Sequence, residues 1–195
     1  HSAIAYLGYL AGHQTVADAI AAPGFAALVE RLWDEAAPTL EMPVGTDLGV
    51  YRAGVMARFA NPHLRHRTWQ IAMDGTQKLP QRLLATIGDN LRARQPVRIA
   101  ALGVAAWMRY VRGIDERGAP IDIRDPLAGD LACHTGGTPA DRVDALLGLT
   151  QVFGTDLPRA MVAAFSCWAA SLAMCWWPCS HRSATRATRC GCSLK

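Results

Sequence analysis

The sequence of 195 residues has little that indicates β-structure and lacks a phosphate-binding turn. Alternation of apolar and polar residues is nearly absent, and Ala, Leu and Arg outnumber the β-favouring Val, Ile, Thr and Tyr. Gly8, Gly12 and the pair Gly136–Gly137 lack the preceding strand and the spacing of a dinucleotide fingerprint. A basic start with a small-residue cleavage site, which would mark a secretory leader, is also missing. We therefore predict an all-α chain that has no Rossmann domain of its own.

Acidic residues are missing after Asp156, whereas cysteine is nearly missing before it. Five of the six cysteines and five of the 20 basic residues follow Asp156, which leaves 15 basic and 16 acidic residues up to that point. The pI near 8.9 therefore reflects the tail, and nucleic-acid binding is not expected. We expect a helical domain over residues 1–157 and an atypical Cys/Trp/Arg-rich tail over residues 158–195. The remaining cysteine, Cys133, is interpreted as a free thiol of a cytoplasmic protein.

The tail raises two alternatives, a membrane span and a metal site. Residues 160–180 carry no formal charge and are long enough to cross a bilayer, but serine and cysteine dilute their hydropathy. A zinc site could be drawn from Cys175, Cys179, His181, Cys190 and Cys192. Because this spacing matches no common zinc site well, we expect neither a metal nor a membrane partner. The change in composition is typical of an out-of-frame reading, and predicts a frameshift near residues 157–160 and a disordered tail.

Amphipathic periodicity predicts helices that are joined by short turns. The clearest apolar stripes lie at residues 25–33, 48–59, 97–112 and 138–154. The residues expected to end these helices are Pro38, Asn61–Pro62, Gly113 and Gly154. The last helix has the most complete start signal, because Thr138 can cap it, Pro139 suits its first position and Asp141 favours the positive end of its dipole.

The densest polar cluster of the chain extends from His66 to Arg82. If this stretch is one helix, Gln70, Asp74 and Lys78 are successive neighbours four residues apart on one face, which His66 and Arg82 extend. Such a face can hydrogen-bond a polyhydroxylated or carboxylated small molecule. The alternative is a solvated face with an ordinary Asp74–Lys78 ion pair. The side chains expected to point toward the core are Trp69, Met73 and Thr76.

Two stretches carry a resemblance to a known family. They are HSAIAYLG at residues 1–8 and HRTWQIAMDGTQK at residues 66–78. Both closely resemble the C-terminal domain of the mannitol dehydrogenase family, the long-chain polyol and hexuronate dehydrogenases. The resemblance covers residues 1 to about 157, and its second motif is long enough to be specific.

The resemblance implies a multi-helical substrate domain that follows an N-terminal Rossmann domain in the same chain. The expected activity is hydride transfer between NAD, or NADP, and a secondary alcohol or ketone without a metal. The expected substrates are a polyol or hexuronate, as in the pairs mannitol/fructose and mannonate/fructuronate. The alternative is a non-catalytic helical interaction module that has kept the scaffold without a cofactor domain.

The resemblance also assigns candidate site residues. The family signature is Lys, four residues, Asn, two residues, His, and His1 matches its final, catalytic histidine. The lysine and asparagine are expected just upstream, so this chain alone is expected to be inactive. Lys78 matches a second family lysine that binds substrate hydroxyls, and His66 belongs to the same motif. Gln70 stands where mannitol-specific members carry arginine, which favours a hexuronate.

Overall fold

The computed structural model describes residues 1–155 of the chain. The predicted tail over residues 158–195, with its frameshift, membrane-span and zinc alternatives, lies outside the described residues. Within them the α-helices are α1 (Ser2–Leu10), α2 (Val16–Ala21), α3 (Phe25–Ala36), α4 (Leu48–Phe59), α5 (Thr68–Ala72), α6 (Gly75–Leu79), α7 (Ala85–Arg92), α8 (Arg98–Tyr110), α9 (Ala128–Cys133), α10 (Pro139–Leu147) and α11 (Thr150–Phe153). A π-helical turn, Pro80–Leu84, joins α6 to α7, and short 3-10 turns occupy Ala37–Thr39 and Pro62–Leu64.

Isolated bridges, Thr15–Arg67 and Ile114–Pro120, are the extent of β-pairing in residues 1–155. The prediction of an all-α fold is therefore confirmed. Among the helices described, none combines the length and apolar character needed to cross a membrane.

Helix α8 is the centre of the core. Every residue from Ile99 to Met108 is buried, as expected for a helix that is enclosed on all sides. Helix α1 packs along it, and the close approach depends on Gly103. A Cβ atom there would lie 3.2 Å from the Cβ of Ala3 and 3.0 Å from a methyl of Leu83. This packing fixes the start of α1, where the candidate site lies.

The start of α8 is capped from a distant helix. Both carboxylate oxygens of Glu35 accept a hydrogen bond from the N–H of Ile99, at 2.8 and 2.9 Å, and one accepts from Ala100 at 2.9 Å. The amide of Asn90 donates to the carbonyl oxygen of Glu35 at 2.7 Å. A carboxylate at a helix N-terminus satisfies free N–H groups and complements the helix dipole. Glu35 therefore ties α3 to α8.

The helix predictions are confirmed with two corrections. Helices α3 and α4 occupy the expected segments, and Thr138 and Asp141 form the expected capping box of α10. Gly113 was expected to cap α8 but follows its C-cap residue, Val111, by two positions. The prediction of one helix up to Gly154 is wrong.

The predicted helix is divided into two helices, and the second packs against α8. Helix α10 ends at Leu147, and the separate helix α11 buries Val152 and Phe153. The ring of Phe153 lies 6.0 Å from the ring of Trp107 in α8. Thr150, expected on the inner face, is exposed.

Candidate active site

Three segments meet at the start of α1. His1 is the N-cap residue of α1, and its ring lies edge-on to the ring of Phe59 at the end of α4, with centroids 4.4 Å apart. The ring of His66, which precedes α5, lies 6.1 Å from that of His1. Both histidines are exposed. The structure therefore brings the candidate catalytic histidine next to one candidate substrate-binding residue.

The position of His66 is fixed by a short pairing with the loop after α1. The N–H of Val16 donates to the carbonyl of His66 at 2.9 Å, and the N–H of Thr68 donates to the carbonyl of Gln14 at 3.1 Å. The hydroxyl of the buried Thr68 donates to the carbonyl of His13 at 2.8 Å. Because a buried polar group is costly to leave unpaired, these bonds hold the segment in one register.

The interpretation of the polar cluster as one helix is wrong. Helix α5 ends at Ala72, and Asp74 takes a left-handed conformation with φ of 55° before α6 begins. The N–H of Asp74 donates to the carbonyl of Arg124 at 2.9 Å, so an acceptor from another segment replaces the helical one. Gln70 therefore does not stand in a row with Asp74 and Lys78, and is exposed on α5.

The segment after the break is anchored in the core. Asp125 accepts from the N–H of Thr76 at 2.9 Å and from its hydroxyl at 2.5 Å. A Cβ atom on Gly75 would lie 2.5 Å from Nε1 of Trp107 and 2.7 Å from the hydroxyl of Tyr6. Only glycine fits that contact, so α6 lies directly against α1 and α8. Thr76 is buried, as expected.

The other two side chains expected to face the core are half-buried. Nε1 of Trp69 donates to the carbonyl of Asp122 at 2.9 Å, and the guanidinium of Arg124 lies 4.7 Å from the centre of its ring. Met73 lies at the break between α5 and α6, where its carbonyl faces Lys78.

Lys78 is held at the C-terminal end of α5. Its Nζ donates to the carbonyl of Met73 at 2.5 Å and to that of Ile71 at 3.3 Å, while the nearer oxygen of Asp74 lies at 3.8 Å. A cation at this end of a helix satisfies free carbonyls. The side chain is 22% exposed, so solvent reaches it. Since an ammonium group has three donors, one remains for a ligand.

Arg82 links this segment to the start of α1, a connection that the sequence analysis missed. It follows Lys78 by four residues in a continuous helical run. Its Nη1 donates to the hydroxyl of Ser2, the residue after His1, at 3.2 Å. The four-residue spacing of Lys78 and Arg82 indicated a shared helix face, but it did not indicate the contact with Ser2.

Buried tyrosines tie α1 to its neighbours. The hydroxyl of Tyr6 donates to the carbonyl of Ala72 at 3.1 Å, and its ring lies 5.4 Å from that of Tyr110 in α8. Burial, reinforced by a neighbouring tyrosine in each case, raises the pKa of both phenols well above the usual range. Both therefore stay protonated at neutral pH.

Within residues 1–155, histidine, cysteine and carboxylate side chains form no group that could hold a metal ion. Cys133 is an exposed free thiol whose Sγ lies 3.5 Å from the carbonyl of Gly129.

Known proteins match both the sequence and this arrangement of helices. Residues 1–171 match the family model of the mannitol dehydrogenase C-terminal domain. This chain belongs to the mannitol dehydrogenase family. The resemblance found in the sequence is confirmed, whereas the roles of His1, His66, Gln70 and Lys78 stay predictions.

Relatives in this family are named as oxidoreductases. Over 164 residues the chain is 51% identical to the D-mannonate oxidoreductase of Escherichia coli (strain K12). This match covers 82% of this chain and 33% of that protein. Over 158 residues it is 33% identical to the mannitol 2-dehydrogenase of Phaeosphaeria nodorum, covering 80% of this chain and 27% of that protein. The chain thus spans about a third of the length of the relatives it matches.

A solved structure shares the fold. Mannitol 2-dehydrogenase of Pseudomonas fluorescens, in a ternary complex with NAD and D-mannitol, superposes with a TM-score of 0.83 at 32% identity. The match covers 89% of this chain and 36% of that chain. The matched fold therefore makes up about a third of a longer dehydrogenase chain in that protein.

Proposed function

We propose that this chain is the substrate-binding domain of an oxidoreductase that transfers hydride between NAD, or NADP, and a sugar-derived alcohol or ketone. We assign D-mannonate and its ketone as the substrate pair, ahead of mannitol and fructose. The observation that carries this choice is the 51% identity to a D-mannonate oxidoreductase, against 33% to a mannitol 2-dehydrogenase. The resemblance also favours this choice, because Gln70 stands where mannitol-specific members carry arginine.

The described residues supply the substrate side of such a site. Among them there is no sheet that could form a dinucleotide fold, so a Rossmann domain preceding this one would hold the nucleotide. When bound, the nucleotide supplies the hydride acceptor or donor. His1 would hydrogen-bond the substrate oxygen at which negative charge develops, and Phe59 fixes its ring. Lys78 would bind substrate hydroxyls with its free donor.

A fusion protein tests this function. The full 195-residue chain replaces the matched C-terminal third of the Escherichia coli D-mannonate oxidoreductase. We expect D-mannonate-dependent reduction of NAD by the fusion, and none by the N-terminal part alone or by the unfused chain. A folded fusion that oxidises neither D-mannonate nor D-mannitol would contradict the proposal and favour the non-catalytic interaction module.

A further inference from the structure

Arg82 differs in its contacts from the arginines of the described residues that form ion pairs. The guanidinium groups of Arg52, Arg109 and Arg124 each pair with a carboxylate, at 2.7, 3.0 and 2.9 Å. Arg82 contacts the neutral hydroxyl of Ser2, and no carboxylate in residues 1–155 forms an ion pair with it. Its side chain is exposed, so most of its five N–H donors face solvent.

The position of Arg82 places this cation at the candidate site. Its contact residue Ser2 follows His1 directly, and Lys78 precedes it by four residues on the same side of the helical run. The guanidinium of Arg82 therefore lies beside the residue that follows His1, and the ammonium of Lys78 lies about one helical turn before Arg82 in the sequence. A planar guanidinium matches a carboxylate with two parallel hydrogen bonds, which an ammonium group cannot do.

We propose that Arg82 binds the carboxylate of the substrate and so makes the site prefer a sugar acid over a neutral polyol. This inference rests on the proposed function, since D-mannonate carries a carboxylate and D-mannitol does not. Lys78 and His1 then contact the hydroxyl-bearing part of either substrate. The contact with Ser2 holds the guanidinium in place through one of its nitrogens.

The test compares kcat/KM for D-mannonate and D-mannitol in the fusion and its Arg82→Gln and Arg82→Lys variants. Because a hydrogen bond to a charged group contributes about 1.5–3 kcal/mol, Arg82→Gln should lower kcat/KM for D-mannonate by about 10- to 100-fold. For D-mannitol the change should stay below about threefold. Arg82→Lys keeps the charge but loses the paired donors, so its kcat/KM for D-mannonate should lie between the values of the parent and of Arg82→Gln.

Two controls separate carboxylate binding from a structural role. Arg31→Gln removes an exposed cation from a cleft that Arg31 forms with Pro23 and Ile99. This change should leave kcat/KM unchanged for both substrates. Ser2→Ala removes the hydroxyl that Arg82 contacts. If Arg82 only held α1 in place, Ser2→Ala and Arg82→Gln would each lower kcat/KM equally for D-mannonate and D-mannitol, and would also lower Tm.

Each outcome decides the inference. A loss of kcat/KM for D-mannonate alone, at unchanged Tm, supports the inference. An equal loss of kcat/KM for both substrates, or no loss, overturns the inference. If Arg82→Gln fails to fold, the same comparison of kcat/KM for D-mannonate and D-mannitol is made with Arg82→Lys, and a loss confined to D-mannonate supports the inference. A parent fusion that oxidises D-mannitol but not D-mannonate overturns the inference while the dehydrogenase function stands. A parent fusion inactive with both substrates overturns the proposed function itself.

Discussion

The ring of His1 packs edge-on against the ring of Phe59, with centroids 4.4 Å apart. Phe59 is the last residue of α4 and is itself buried, so its ring is a fixed surface. The exposed imidazole is thereby oriented by a helix that follows it by almost 50 residues in the sequence. The geometry of the candidate catalytic group consequently depends on how α4 docks.

Changing Phe59 to Leu should impair activity more than stability. Loss of the aromatic ring lets the His1 imidazole rotate away from its position. Because a misplaced catalytic group slows the reaction, kcat/KM of the fusion should fall by about tenfold. The matched control is Phe153→Leu, at an equally buried ring beside Trp107. Each variant should lower the free energy of unfolding by about 1–2 kcal/mol. Equal kinetic effects in steady-state assays would show that Phe59 does not orient His1.

Gly75→Ala should destabilise the domain, because the added methyl would overlap the side chains of Trp107 and Tyr6. Overpacking of this kind costs about 1–3 kcal/mol. Gly54→Ala serves as control, since Gly54 lies within α4 with open space around it. That change should stabilise the helix by about 0.5–1 kcal/mol. Urea unfolding of the 195-residue chain, monitored by circular dichroism, measures the free energy of unfolding of both variants. An unchanged free energy of unfolding for Gly75→Ala would refute the close packing of α6.

Glu35→Ala should loosen the start of α8. The N–H groups of Ile99 and Ala100 lose their acceptor, which costs about 1–3 kcal/mol. Glu30 lies on the same helix and is exposed, so Glu30→Ala should change stability by less than about 0.5 kcal/mol. Urea unfolding compares the two variants. Equal destabilisation by both would mean that the Glu35 carboxylate does not act as the cap of α8.

The sequence was most informative where the determining contacts are local. The stripes of α3 and α4 and the capping box of Thr138 and Asp141 involve residues at most a few positions apart, and these elements are present. The break at Asp74 was missed because its replacement acceptor, the carbonyl of Arg124, lies far along the chain. The cap by Glu35 was missed for the same reason.

The candidate site shows the same division. Motif resemblance located His1, His66, Gln70 and Lys78 in the sequence, and the structure brings the two histidines together. Periodicity wrongly placed Gln70 in line with Lys78, because a left-handed residue separates their helices. The contact of Arg82 with Ser2 joins residues 80 positions apart, which no local pattern reveals.

We propose that the start of α1 and the segment around Lys78 together form the substrate site. Lys78→Met keeps an unbranched side chain but removes the ammonium, whereas Gln77→Met alters an exposed neighbour on α6. The most direct measurement is kcat/KM for D-mannonate oxidation by the fusion carrying either change. We expect about a hundredfold loss for Lys78→Met and less than about twofold for Gln77→Met. A Lys78→Met fusion within about threefold of the parent would contradict the claim.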